Sequence, residues 1–68
     1  MLPEEKLAYM ANQIGKFFAS QKHADAVDGI EDHVRKFWDP RMRASILKHL
    51  DAVKLDPPVR QAMERLRT

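Results

Sequence analysis

Proline sets the tightest limit on what this chain can fold into. It lacks a backbone donor and fixes φ near about −65°, so a helix tolerates it in the first turn and rarely beyond. The four prolines are Pro3, Pro40, Pro57 and Pro58, and each stands where a stretch of helical periodicity begins. Two follow an aspartate, in Asp39-Pro40 and Asp56-Pro57. Proline disfavours helical geometry at the residue before it, and aspartate is a favoured N-cap, so both dipeptides read as the end of one helix and the start of the next.

Between these marks the apolar residues keep one helical period. Leu7, Met10, Ile14, Phe17 and Phe18 form a first stripe, and Ala26, Val27, Ile30, Val34, Phe37 and Trp38 a second. Met42, Ile46, Leu47, Leu50 and Val53 form a third, and Val59, Ala62, Met63 and Leu66 a fourth. Spacings of three and four are those of one face of an α-helix. The reading is an all-α fold of about four short amphipathic helices, in a small bundle or an open array. The helices are expected near residues 3–19, 24–38, 40–53 and 57–67 of a single helical domain. Ser20-Gln21-Lys22-His23 reads as a connection. In the second helix Glu31 with Arg35 and Asp32 with Lys36 are acid-before-base pairs four apart, a favourable arrangement on an exposed face. Gly29 inside it costs roughly 1 kcal/mol relative to alanine, and it reads either as a tight helix approach or as a tolerated defect.

Size and composition narrow the function. A chain of 68 residues buries only about 60% of its unfolded surface and supports one core at most. Cysteine is absent, which removes disulfides, thiolate metal sites and thiol nucleophiles. No stretch approaches the roughly 20 apolar residues that span a bilayer, and the N-terminus has no secretory pattern, so the cytoplasm is the expected compartment. Twelve Lys and Arg against ten Asp and Glu leave a formal charge of +2, too balanced to indicate nucleic acid. Locally the balance differs: between His33 and His49 the chain carries Arg35, Lys36, Arg41, Arg43 and Lys48 against Asp39 alone.

Catalytic chemistry is not visible. His23, His33 and His49 have no zinc-type spacing, and Ser20 and Ser45 sit in no nucleophile elbow. Gly15 and Gly29 are isolated, so no glycine-rich loop can cradle phosphate. The chain is therefore expected to be no enzyme and to hold no cofactor or metal. What remains is Arg35-Lys36-Phe37-Trp38-Asp39-Pro40-Arg41-Met42-Arg43. Trp, Met and Arg are enriched at the centres of protein–protein contacts. Arg35, Trp38, Arg41 and Arg43 are the expected partner-binding residues, with Phe37 and Met42 in the core. The bland alternative puts both rings of Phe37 and Trp38 in the core and leaves the arginines solvated. A helix carrying Arg41, Arg43 and Lys48 could also contact phosphates, although the Asp-Pro junction replaces the glycine usual in a helix-turn-helix turn. Self-association is a third reading.

Two blocks, Met10-Ala11-Asn12-Gln13-Ile14-Gly15-Lys16-Phe17-Phe18 and His33-Val34-Arg35-Lys36-Phe37-Trp38-Asp39-Pro40-Arg41-Met42-Arg43, resemble the delta subunit of cytoplasmic, NAD-dependent, molybdenum-containing formate dehydrogenases. Leu55-Asp56-Pro57-Pro58-Val59-Arg60 is a weaker echo. The resemblance implies an accessory polypeptide that associates with the large catalytic subunit and supports formation of active enzyme. The larger subunits would carry bis-molybdopterin guanine dinucleotide, iron-sulfur clusters and FMN, and the delta chain none of them.

Overall fold

The computed structural model describes residues 3–20 and 25–67. Among them are four helices and no strand: α1 Pro3–Ala19, α2 Ala26–Phe37, α3 Pro40–Lys48 and α4 Pro57–Arg67. Each start follows from local chemistry. Asp25 caps α2, its carboxylate accepting from the Val27 and Asp28 amides at 2.9 and 3.4 Å. Asp39 caps α3 through the Met42 amide at 2.9 Å, with Pro40 in the first helical position. At Asp56 the backbone carbonyl accepts the first bond of α4, from the Arg60 amide at 2.9 Å. Glu4 and Glu5 lie in the first turn of α1, where the helix dipole favours negative charge.

Three expected boundaries move, one of them by a single residue, since the second helix ends at Phe37 rather than 38. The second helix starts at Ala26 rather than 24, because Asp25 is its cap in extended geometry; residue 24 and the connection at 21–23, with His23, lie outside the described residues. The third helix, expected to reach 53, ends at Lys48. Beyond it the chain turns, with the His49 carbonyl accepting from Ala52 at 2.9 Å and Val53 at 3.2 Å. Leu50 and Val53 are still buried. A spacing of three fits a tight turn as well as a helix, so periodicity alone does not mark this end.

The core joins Ala8 and Ala11 of α1, Ile30 and Val34 of α2, Ile46 of α3 and Val59, Ala62 and Met63 of α4, with Trp38, Leu50 and Val53 from the junctions. Both glycines permit close helix approach. A methyl on Gly29 would stand 2.5 Å from Cδ1 of Phe18, and one on Gly15 would overlap Val59 and reach Ile30 Cδ1 at 3.6 Å. Asn12 of α1 clamps the segment before α4. Its Nδ2 donates to the Lys54 carbonyl and its Oδ1 accepts from the Asp56 amide, each at 3.0 Å.

Candidate docking face

The α2–α3 junction places the expected site residues, and it does not place them together on the surface. Trp38 follows the last residue of α2 in extended geometry, with its amide donating to Val34 at 3.0 Å. Its ring falls in register with Ile30 and Val34 and is 5% exposed, whereas Phe37 is 73% exposed. The expectation for the two rings is thereby reversed. Both positions fit a helical spacing from Val34, and the packing of α1, α3 and α4 decides which of them is covered. Met42 is half-buried against the core, the side on which it was expected.

Arg43 is likewise structural. Its Nη1 donates to the Trp38 carbonyl at 2.5 Å and the Arg35 carbonyl at 3.1 Å, satisfying groups that the end of α2 leaves open. Arg60 does the same for the turn after α3, donating to Leu50 and Val53 at 3.0 Å each. Each arginine stands four residues after its aspartate, in Asp39-Pro40-Arg41-Met42-Arg43 and Asp56-Pro57-Pro58-Val59-Arg60. The Asp-Pro-x-x-Arg unit thus starts one helix and closes the end of the previous segment. Sequence reading noticed the repeated Asp-Pro start but missed the arginine, although its spacing was there to see.

Arg35 belongs to a charged network along α2 and α4. It pairs with Glu31 at 2.5 Å, and Lys36 pairs with Asp32 at 3.1 Å. Arg65 of α4 bridges Asp28 and, at 3.6 Å, Glu31. The hydrogen bond to Asp28 is the main cause that holds the Arg65 guanidinium above its ordinary pKa, with the attraction of Asp28 and Glu31 adding to it and partial desolvation opposing it. Arg41 differs from the other three expected residues: it is exposed and takes part in no ion pair among the described residues.

The apolar surface lies elsewhere, along α1. Phe17 and Tyr9 are each 61% exposed. The Phe17 and Phe18 rings meet edge to face at 5.1 Å, Phe18 meets His33 at 6.3 Å, and His33 lies 4.8 Å from Phe37. Ile14, Phe17, Phe18 and His33, with Gln13, line an open groove of about 370 Å³ between α1 and α2. A second, of about 400 Å³ between α1 and α3, is lined by Lys6, Leu7, Met10, Arg41, Met42 and Ser45. Lys6, Met10, Gln13 and Phe17 follow one another at spacings of four, three and four, so they share one face of α1, and the two grooves are parts of one stripe. Phe17 and Phe18 project about 100° apart around α1, and Phe18 packs against the core while Phe17 stays exposed. Contiguous exposed apolar surface of this kind marks interaction sites.

No group of three His, Asp or Glu among the described residues could hold a metal ion. His33 lies between two phenylalanine rings, edge to face with Phe18 and tilted against Phe37, and His49 Nδ1 lies 2.9 Å from the Ser45 carbonyl, a capping contact. The arrangement offers a surface to bind with.

A family model described as the NADH-dependant formate dehydrogenase delta subunit FdsD matches residues 6–63 of the 68. The chain belongs to this family. The FdsD match runs from the fourth residue of α1 to the buried Met63 of α4, so it takes in both Asp-Pro-x-x-Arg units and the whole exposed stripe. No curated protein and no solved structure matches the chain. The blocks that carry the resemblance, 10–18 and 33–43, are brought by the fold to the two sides of the stripe. The first supplies Met10, Gln13 and Phe17; the second supplies His33, Phe37, Arg41 and Met42.

Proposed function

We propose that this FdsD chain is a non-catalytic accessory subunit that docks on the large molybdenum subunit of an NAD-dependent formate dehydrogenase in the cytoplasm and supports formation of the active enzyme. The observation that carries the reading is the exposed aromatic stripe of Phe17, His33 and Phe37 in a chain of this family. A lone small domain gains nothing from holding such rings in water, whereas a protein partner that covers them recovers roughly 25 cal/mol per Å² of apolar area. Bis-molybdopterin guanine dinucleotide, iron-sulfur clusters and FMN belong, in this proposal, to the partner enzyme. Within the chain the contact is assigned to the stripe and Arg41, while Trp38 and Arg43 shape the junction from beneath and Arg35 lies beside it. No helix of the described residues is long and apolar enough to cross a membrane, in keeping with docking on a protein.

The nucleic-acid reading loses most of its cations. Of the five in the basic stretch, Arg35 and Lys36 are paired with acids and Arg43 is spent on backbone carbonyls, which leaves Arg41 and Lys48. The test is coexpression of the tagged chain with the enzyme's larger subunits, reading co-purification, molybdenum content and formate oxidation. Phe17→Ser with Phe37→Ser should reduce recovery at unchanged helicity. If the unaltered chain neither co-purifies nor changes molybdenum content or activity, the accessory role is refuted.

A further inference from the structure

The groove between α1 and α3 is lined by two cations and no acid. Lys6 is the fourth residue of α1 and Arg41 the second of α3. The N-terminal end of a helix carries partial positive charge, so acids belong there and cations are disfavoured. Glu4 and Glu5 obey that rule in α1 and Asp39 caps α3, but none of the three lines the groove. Among the described residues the side chain of neither Lys6 nor Arg41 makes an ion pair or hydrogen bond, and neither has an acidic neighbour in the lining of the groove. Leu7, Met10 and Met42 supply the apolar surface between them. Lys6 and Arg41 are therefore the charged side chains that line this end of the stripe, and apolar side chains continue from there to Phe17.

From this we infer that the stripe receives an amphipathic helix of a protein partner, with its apolar side on Met10, Met42 and Phe17 and one or two carboxylates over Lys6 and Arg41. The inference rests on the reading that the chain docks on another subunit, and it specifies which surface and which chemistry. The distance from Lys6 to Phe17 along α1 is about 16 Å at 1.5 Å per residue, the length of roughly three helical turns. A helix fills such a groove with side chains at i, i+3, i+4 and i+7. A second copy of this chain fits poorly, since Lys6, Met10, Gln13 and Phe17 include no acid to meet the cations. The Met side chains suit a partner surface of irregular shape, because their flexible thioethers adapt to it.

Charge reversal at the two cations tests this without threatening the fold. Glutamate near a helix N-terminus is locally favourable, so the double variant Lys6→Glu, Arg41→Glu should keep its helicity and thermal midpoint. The full chain and the variant are each coexpressed with the larger subunits and recovered by their tag at low and at moderate salt. The unaltered chain is expected to bind less well as salt rises, and the variant to bind on the order of tenfold or more weakly at low salt, as two attractions become repulsions. Lys6→Gln, Arg41→Gln should fall between them. A photo-crosslinking residue at Met10 should attach to a helical, acid-bearing segment of the partner. If the unaltered chain recovers the subunits and the charge-reversed variant recovers them equally at every salt, this inference is overturned and the docking reading stands. If the unaltered chain recovers nothing, the docking reading itself fails. Retention of nucleic acid by the unaltered chain and its loss in the variant would assign the cations to phosphates and overturn the helix assignment.

Discussion

Truncating the two neighbouring aromatic residues of the α2–α3 junction should separate their roles by several kcal/mol. Trp38 is 5% exposed and packs with Ile30, Val34 and the rest of the core, so Trp38→Ala removes a large buried ring. Substitutions of that kind cost about 3–5 kcal/mol, the lost transfer energy plus the cavity left behind. A chain of 68 residues has a total stability of roughly 3–10 kcal/mol, taking about 0.05–0.15 per residue. The variant should therefore lose a third or more of its stability and could be largely unfolded at ambient temperature. Phe37 is 73% exposed and touches mainly the His33 ring, so Phe37→Ala should stay within about 0.5 kcal/mol of the parent. Urea unfolding followed by far-ultraviolet circular dichroism compares the two. With a slope of about 1 kcal/mol per molar for so small a domain, the Trp38 midpoint should fall by several molar and the Phe37 midpoint by less than about one. Trp38 is the sole tryptophan, so its emission in the native protein should be blue-shifted and poorly quenched by acrylamide. A solvent-like emission maximum, or equal midpoint shifts for the two variants, would refute the assignment of Trp38 to the core and Phe37 to the surface.

Two further outcomes follow from the junctions and the glycine contact. Arg43→Ala and Arg60→Ala should each lower stability by about 1–3 kcal/mol, since each guanidinium serves two backbone carbonyls. Lysine should restore less at Arg60, where Nη1 and Nη2 each reach one carbonyl, than at Arg43, where Nη1 alone serves both, and thermal melts of the four variants decide the point. Gly29→Ala should destabilise despite the gain of about 1 kcal/mol in helix propensity, because the added methyl meets the Phe18 ring at 2.5 Å. Combining it with Phe18→Ala should recover the propensity gain, and a Gly29→Ala variant that melts higher than the parent would show that α1 and α2 are not so close.

Much of the fold is determined by the sequence alone, because helix starts depend on a few adjacent atoms. A proline whose φ already suits a first turn, and a carboxylate that reaches an amide two or three residues on, act over single residues. The starts at Pro3, Pro40 and Pro57 therefore coincide with the reading of the chain. Helix ends are less local. Beyond the end of α3 at Lys48 the Leu50 and Val53 carbonyls are taken by Arg60, ten residues beyond Leu50, a contact that local periodicity does not show. The same limit applied at the surface. Phe37 and Trp38 fit the α2 period equally well, and only the positions of the neighbouring helices decided that the tryptophan is covered.

The arginines make the physical reason plain. Four residues near one junction share a composition typical of interfaces, and composition cannot separate a guanidinium that faces solvent from one folded back on its own backbone. The tertiary structure gave Arg43 to the end of α2, Arg35 to Glu31, and left Arg41 with Lys6 beside an apolar groove. Lys6 and Arg41 are 35 positions apart, so no local pattern could pair them; the packing of α3 against α1 does. The sequence by itself thus determined where helices begin, that they are amphipathic, and which family the chain resembles. Which side chains face a partner was decided only when four short helices, each marginal alone, found the one packing that covers their stripes.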